Sequence, residues 1–323
     1  MVLFSIICPI YNAENFLVGT VTSVISQTYN NWELVLINDG STDNSGSICD
    51  LFSKKDKRIK VIHQKNQGQS IARLIGLGRC NGKYILFLDS DDFLVSTALE
   101  ELSKQLQDNK TDVVMFNANK RRVHTESKIY VLGERRVITD KKLIFNECFL
   151  ERTAGYLWTY CFKKDILCFS KEVLRRFGEI KYSEDVYLIY QVINHNVKSL
   201  LILPEPLYVY TVNECSITHN QTVSKVRDRF NVFNDVYKDL FASYNLKPNK
   251  SIRANIGWTY LSFLNRAAKE FCFEKFKEIA KEVRSSYIFK HLSRFKKDKY
   301  NSLVHFLFKI RMYKKVYLII RKH

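Results

Sequence analysis

Lys83-Tyr-Ile-Leu-Phe-Leu-Asp-Ser-Asp-Asp-Phe93 decides how this chain is read. Tyr84 to Leu88 is a short unbroken apolar run, entered through the turn signal Asn81-Gly82 and left through three carboxylates in four residues. A run of that length beside a turn predicts a strand buried on both faces, the kind parallel sheets contain. Carboxylates clustered at its end do nothing for that burial. Asp89, Asp91 and Asp92 repel one another unless a cation or a donor-rich ligand sits among them. Hard oxygen ligands suit Mg or Mn, ions that commonly hold a ligand's phosphates. The competing reading is a solvated loop in which Asp91 or Asp92 caps the next helix.

Upstream, the same arrangement repeats. Phe4 to Ile10 is a strand with Pro9 near its exit. Tyr11-Asn12 then turns into an amphipathic helix, capped by Asn12, with Leu17, Val21, Val24 and Ile25 on its apolar face. Trp32 to Ile37 is a second strand. It ends in the polar turn Asn38-Asp-Gly-Ser-Thr-Asp43, which opens a helix through Asp43. Ile59 to His63 is a third, and the loop Asn66-Gln-Gly-Gln-Ser70 leads into a helix carrying Arg73. This alternation predicts an α/β fold with a mostly parallel sheet flanked by helices. In such sheets ligands bind beyond the carboxyl ends of the strands. The polar clusters at Tyr11, Asp39 and Asp89 therefore belong to one site. The chain has no Gly-x-Gly-x-x-Gly after its first strand and no Gly-Lys-Ser/Thr phosphate loop, so a nucleotide here needs a metal rather than a glycine cradle.

Ser5-Ile-Ile-Cys-Pro-Ile-Tyr-Asn12, Asn38-Asp-Gly-Ser-Thr-Asp43, Asn66-Gln-Gly-Gln-Ser-Ile-Ala-Arg73 and Phe87-Leu-Asp-Ser-Asp-Asp92 resemble, in order and spacing, glycosyltransferase family 2. The resemblance is strong over residues 3 to 116 and thinner to about 220; Leu74 departs from it, where the family usually has Asn. It implies a GT-A-like (Rossmann-like) fold and an inverting, metal-dependent transfer from a UDP-sugar. Carried over by position, Pro9 and Tyr11 would line the base pocket and Asp39 would accept from the uracil ring nitrogen. Arg73 would brace the pocket, Asp89 and the adjoining Ser90 would meet the nucleotide-sugar near the ribose, and Asp91 would ligate Mn or Mg at the diphosphate. Glu14 reads as a first-turn acid favoured by the helix dipole.

Farther on, Leu99 to Leu106 is a helix, Val113 to Phe116 a strand, and Asn117 to Val137 a polar, basic hairpin or loop. Lys141 to Phe149 is helical. Gly155-Tyr-Leu-Trp-Thr-Tyr160 is aromatic, so Trp158 is either an acceptor platform or a core residue. In Tyr182-Ser-Glu-Asp-Val, Ser183 can cap a helix with Glu184 and Asp185 in its first turn. Dipole compensation explains an acidic pair there. The pair also resembles the family's Glu-Asp motif, which implies Asp185 as catalytic base and Glu184 as its partner. Val197 to Leu203 and Leu207 to Tyr210 are further strands. His219, in a polar loop, is either a surface His or, as in some relatives, a metal or diphosphate contact.

From 221 the pattern turns helical, over Val226 to Tyr244, Ile252 to Phe271 and Phe273 to Phe289. The expected organisation is a catalytic domain over 1–220 and a helical, basic appendage over 221–323. The formal charge is +18, and Tyr287 to His323 alone holds eleven Lys or Arg against one Asp. Charge so concentrated in the tail, with no recognition motif, argues against nucleic acid. Wound as a helix, the tail places Leu303, Phe306, Leu307, Ile310, Tyr313 and Tyr317 on one stripe, the pattern of an interfacial anchor on an anionic membrane. The alternative is a helix packed on the chain's own core or on a second copy. Eight scattered Cys without paired short spacings argue against a zinc site and suit reduced thiols. No basic n-region precedes the first strand and no apolar run approaches the length of a bilayer span. These features predict a cytoplasmic enzyme, peripheral on the inner membrane face. Its acceptor would be a glycan or lipid-linked saccharide, as for relatives that build bacterial surface polysaccharides. A catalytically inactive nucleotide-sugar-binding scaffold is the other reading.

Overall fold

The expected strand–helix alternation forms β1 (Phe4–Ile10), α1 (Glu14–Ile25), β2 (Trp32–Asp39), α2 (Ser45–Lys55), β3 (Ile59–Gln64), α3 (Gln69–Arg79) and β4 (Tyr84–Phe87). The computed structural model describes residues 3–109, 111–122, 125–128, 132–150, 156–212, 222–246, 250–292, 304–305, 307–309 and 311–322. After β4 come β5 (Phe93–Leu94), α4 (Ala98–Asn109), β6 (Val113–Arg122), β7 (Thr125–Lys128), β8 (Arg136–Ile138) and α5 (Lys141–Phe145). Then follow β9 (Tyr160–Lys163), α6 (Lys171–Glu179), α7 (Glu184–Asn196) and β10 (Leu200–Thr211). The last helices are α8 (Val223–Ser243), α9 (Lys250–Glu270), α10 (Phe273–Ser285), α11 (Tyr287–Leu292) and α12 (Tyr313–Lys322).

Contacts divide the chain into two units. The first comprises Met1–Ile144, Tyr156–Glu179 and Gln191–Ser216; the second comprises Phe145–Gly155, Ile180–Tyr190 and Ile217–His323. The helical part thus takes in two segments from before residue 220, the second of which carries Glu184 and Asp185.

In the first unit the strands run in the order β3-β2-β1-β4-β9-β6-β10-β5. The four expected strands pair in parallel. Beyond them the sheet is mixed: β9 lies antiparallel to both β4 and β6, and β10 runs parallel to β6. Neither β9 nor the two-residue β5 is read from the sequence. β6 continues past Phe116 and pairs with β7, so the start of the basic segment is a hairpin. The two strands expected at 197–203 and 207–210 are one, β10. Pro204 and Pro206 lack a donor, and the register with β6 shifts around Pro206 instead of ending.

Both faces of the central strands are covered, and β1 and β2 are buried at every position. Leu17, Val21 and Val24 of α1 pack with Phe4, Ile6, Cys8 and Ile10 and with Leu99, Leu102 and Leu106 of α4. Burying each aliphatic side chain of this kind contributes about 1.5–3 kcal/mol. On the other face α3 lies so close that a Cβ at Gly76 would stand 2.5 Å from Ile7 Cγ2 and 2.8 Å from Ile37 Cδ1. That close approach seats α3 on β1 and β2, and the first turn of the helix is part of the site.

The second unit is helical. Tyr260, Phe289 and Phe308 pack together, with Phe289 and Phe308 centroids 5.0 Å apart. The tail is not one helix with an open apolar face. Arg311 has φ 65°, a left-handed kink ahead of α12. Leu307, Phe308, Val316, Tyr317 and Ile320 are all buried. Tyr317 lies against Phe273 and Phe276, and its hydroxyl donates to the Phe271 carbonyl at 3.1 Å. The interfacial-anchor expectation is corrected at this point: the described part of the stripe covers the unit's own core. Leu303, Phe306 and Ile310 lie outside the described residues. Among the described residues no helix is long and apolar enough to cross a membrane.

Candidate active site

The carboxyl ends of β1, β2 and β4 carry the polar clusters read from the sequence, and the structure knits them together. At the end of β2, Asp39 is buried, with Oδ1 accepting from Gln64 Nε2 at 2.7 Å and Gln67 N at 2.8 Å. Its Oδ2 accepts from Gly68 N at 2.8 Å. A carboxylate has about four lone-pair positions, so one stays available to a ligand donor. Gly68 has φ 91°, a conformation that favours glycine, and it turns the chain into α3.

The first turn of α3 then meets β4. Gln69 Nε2 and Arg73 Nη2 both donate to Asp89 Oδ1, at 3.1 and 3.0 Å. Arg73 is 2% exposed. Asp39 and Asp89 thus flank the end of β1, where Pro9 lies in the buried strand and the Tyr11 ring is 50% exposed. An open ring at the mouth of the site is available to stack on a base.

The loops after β1 and β2 cap each other. Asn12 does not cap α1. With φ 50°, its side-chain oxygen accepts from Thr42 N at 2.8 Å. The amides at the start of α1 are taken by Ser45 Oγ and Asp43 Oδ2 instead, at 2.9 and 3.0 Å. Glu14 answers by accepting from Asn44 N at 3.0 Å. His63 bridges Asn38 and Asp50, a strand-end role.

Asp89 to Asp92 form a turn closed by Asp92 N donating to the Asp89 carbonyl at 3.1 Å. The Ser90 carbonyl accepts from Thr20 Oγ1 of α1 at 2.9 Å. Asp92 is fully buried and accepts from Tyr208 Oη and Thr211 N, both at 2.7 Å. Burial, then Asp89 and Asp91, push its carboxyl well above the usual range. The cap reading for Asp92 therefore gives way to a tie between this turn and β10. Asp91 is raised to about 6 by burial and by Asp89. Among the described residues no side-chain cation pairs with it. No three His, Cys, Asp or Glu among the described residues converge as a cage. Asp91 with ligand phosphates still fits Mg- or Mn-type binding, which uses one or two carboxylates plus substrate oxygens.

Trp158 is 4% exposed, stacked on Tyr208 at 4.5 Å and on Tyr156 at 4.8 Å. Its ring is committed to that stack, so the platform expected at Trp158 is corrected. The outer ring of the stack is Tyr156, 47% exposed. Tyr208 and Thr211 are site residues that the sequence does not reveal, because a Tyr in a strand reads as ordinary packing.

In the second unit, Glu184 and Asp185 open α7 as expected. Ser183 enters it with φ 66°, not the extended geometry of a side-chain cap. His219 lies outside the described residues.

A largely parallel α/β sheet with carboxylates gathered at its strand ends is the frame of many transferases, and known glycosyltransferases resemble this chain. The model of glycosyl transferase family 2 matches residues 5–162. Glycosyltransferase GlyG of Streptococcus pneumoniae is 32% identical over 73% of this chain and 80% of its own length. A glycosyltransferase of Haemophilus influenzae is 31% identical over 76% of this chain and 96% of its own. For the uncharacterized glycosyltransferase EpsJ of Bacillus subtilis the figures are 32%, 67% and 63%, so this chain spans less than two thirds of that relative. S. aureus TarS 1–349, solved in complex with UDP-GlcNAc, superposes with a TM-score of 0.66 at 16% identity, covering 98% of this chain and 90% of that one. This likeness carries the fold, which is of the GT-A type. The chain belongs to glycosyltransferase family 2.

Proposed function

We propose that this chain is an inverting glycosyltransferase that moves a hexosyl or N-acetylhexosaminyl group from a UDP-sugar to a glycan or lipid-linked saccharide, in the synthesis of a surface polysaccharide. The observation that carries the reading is the gathering of Asp39, Asp89 and Asp91 beyond the ends of parallel strands that flank β1, with Arg73 of α3 holding Asp89. The UDP-GlcNAc bound to TarS supports a UDP-sugar as donor.

The residues then divide the work. Asp39 uses its spare lone pair to accept from the uracil ring nitrogen, and Pro9 and Tyr11 hold the base. Asp89, oriented by Arg73 and Gln69, meets the ribose beside Ser90. Asp91, together with His219, would hold Mn or Mg, and the ion would supply charge that stabilises the leaving diphosphate. Asp185, positioned by Glu184, takes the proton of the acceptor hydroxyl as that oxygen attacks the anomeric carbon. Tyr156, at the exposed end of the Trp158 stack, offers its outer side to an acceptor sugar. The enzyme works in the cytoplasm, and the cationic C-terminal region draws it to an anionic inner membrane face. With Leu307 and Tyr317 of the apolar stripe buried, that attraction is electrostatic.

The test is UDP binding with and without Mn, followed by UDP release from a panel of UDP-sugars with glycan acceptors. Metal-dependent binding that Asp91→Asn abolishes, with acceptor-stimulated release, supports the proposal. Binding without release from any donor would favour the inactive scaffold, and no UDP binding would overturn both readings.

A further inference from the structure

Beside the contacts that α1 and α3 make to it, the turn from Asp89 to Asp92 is tied at both ends to one strand. Tyr208, on β10, is fully buried, and its hydroxyl spends both of its ordinary roles on this turn. It donates to Asp92 Oδ2 at 2.7 Å and accepts from the Asp89 amide at 3.2 Å. Three residues along β10, Thr211 N donates to the other oxygen of Asp92 at 2.7 Å. The chain leaving the turn is β5, which pairs with β10 through Tyr208 with Leu94 and Val209 with Phe93. Behind the hydroxyl, the ring is fixed in a stack, 4.5 Å from Trp158 with 13° between planes. The start of the turn, its end and the residues after it are therefore all registered on one strand. Asp91 lies inside the segment so held.

We infer that Tyr208 is a positioning residue of the donor site: by tying both ends of the Asp89–Asp92 turn to β10, its hydroxyl presents the Asp91 carboxylate to a divalent cation. This rests on the reading of Asp91 given above. Removing the hydroxyl leaves the Asp89 amide without its acceptor and Asp92 without one of its two donors, while the stack keeps the ring in place. The turn then samples other geometries. Cation binding would suffer, because a carboxylate that holds an ion together with phosphate oxygens tolerates little displacement. Partners that orient a metal ligand commonly cost 10- to 100-fold in metal affinity when removed, about the effect expected here.

The experiment measures UDP binding by calorimetry on the full chain across a Mn titration, for wild type, Tyr208→Phe, Tyr210→Phe and Asp91→Asn. For Tyr208→Phe the Mn concentration giving half-maximal UDP binding should rise about 10- to 100-fold. UDP binding in EDTA should stay at the wild-type level. Tyr210→Phe, a ring of the same stack 5.9 Å from Trp158, should leave the Mn requirement unchanged. A merely structural role would lower the melting temperature and leave the Mn requirement where it was, and that result overturns the inference. If Tyr208→Phe fails to fold, fluorotyrosine at position 208 keeps the shape and alters only the hydroxyl's acidity. It should move the Mn requirement, and an unmoved value also overturns the inference. If Asp91→Asn binds UDP and Mn like wild type, the donor-site reading itself fails. If Asp91→Asn is impaired and Tyr208→Phe is not, only the role of Tyr208 falls.

Discussion

The guanidinium of Arg73, almost wholly buried, donates to Asp89 Oδ1 at 3.0 Å and so joins the first turn of α3 to the end of β4. Removing one partner of a buried pair costs about 3–5 kcal/mol, because the other charge is left uncompensated. Asp89 keeps 23% of its side chain in solvent, so Arg73→Met should fall at or below the low end of that range. UDP affinity should drop with it, since Asp89 loses its orientation. Urea unfolding and UDP calorimetry check both. A variant as stable as wild type would mean that the pair does not hold α3 to β4.

Glu33 gives the fold a pH dependence at the opposite end of the strands. Burial alone would raise its carboxyl, but the Asn81 amide, Lys60 and Ser5 outweigh burial and hold it below its ordinary 4.5. Lys60 Nζ is 2.6 Å away and Ser5 Oγ 2.5 Å. A carboxyl lowered in the folded state stabilises fully above its unfolded value, and that contribution is lost as pH falls through the folded one. Glu33→Gln should therefore cost about 1.5–3 kcal/mol at neutral pH, the scale of hydrogen bonds to a charged group. The difference from wild type should shrink as pH drops below about 4.5. Urea titrations from neutral pH down to pH 3 read it directly; a gap that widens on acidification would contradict the assignment.

Asp39, Asp89 and Asp91 are legible in the sequence because each follows an apolar run that cannot end in carboxylates without a reason. The strands β1, β2 and β4 are legible for the same cause, since runs buried on both faces carry their own signature, whereas β3 is buried only at Ile59. What holds the site is less so. The partner of Asp92 is Tyr208, 116 residues away, and nothing local marks it. Trp158 misleads, because an aromatic cluster looks the same whether its rings stack on one another or on a sugar. The tail misleads for a similar reason. An apolar stripe is one pattern whether the surface it meets is lipid or its own α9 and α10, and the kink at Arg311 leaves no trace in composition.

The assignment of Asp185 as base separates chemistry from binding. Asp185→Asn keeps the size of the side chain and removes its ability to take a proton. UDP and Mn should bind as in wild type, while acceptor-dependent UDP release falls about a hundredfold or more, the scale of a lost general base. Glu184→Gln should give a smaller loss. Turnover near normal at saturating acceptor would exclude Asp185 from the role. Loss of UDP binding together with turnover would instead assign Asp185 to the donor.

The C-terminal region can be tested by separating its apolar residues from its charges. Tyr317 is buried against Phe273 and Phe276, and Arg321 donates to its hydroxyl at 2.8 Å. Truncating a buried aromatic to Ala costs about 3–5 kcal/mol, and a terminal helix that can fray should lie at the low end. Tyr317→Ala should therefore destabilise the helical unit without acting on membranes directly. Lys314 and Lys315 are exposed on the same helix, and replacing both with Ala should leave stability unchanged. Each Lys beside an anionic leaflet contributes about 1 kcal/mol, so the double variant should bind anionic liposomes about thirtyfold more weakly. Flotation of the full chain should need anionic lipid and disappear in 1 M salt, where the screening length falls to about 3 Å. Flotation that survives salt, or that occurs equally with neutral lipid, would show apolar insertion by other residues. No flotation under any condition would remove membrane docking from the proposal and leave the cationic surface to an acidic acceptor.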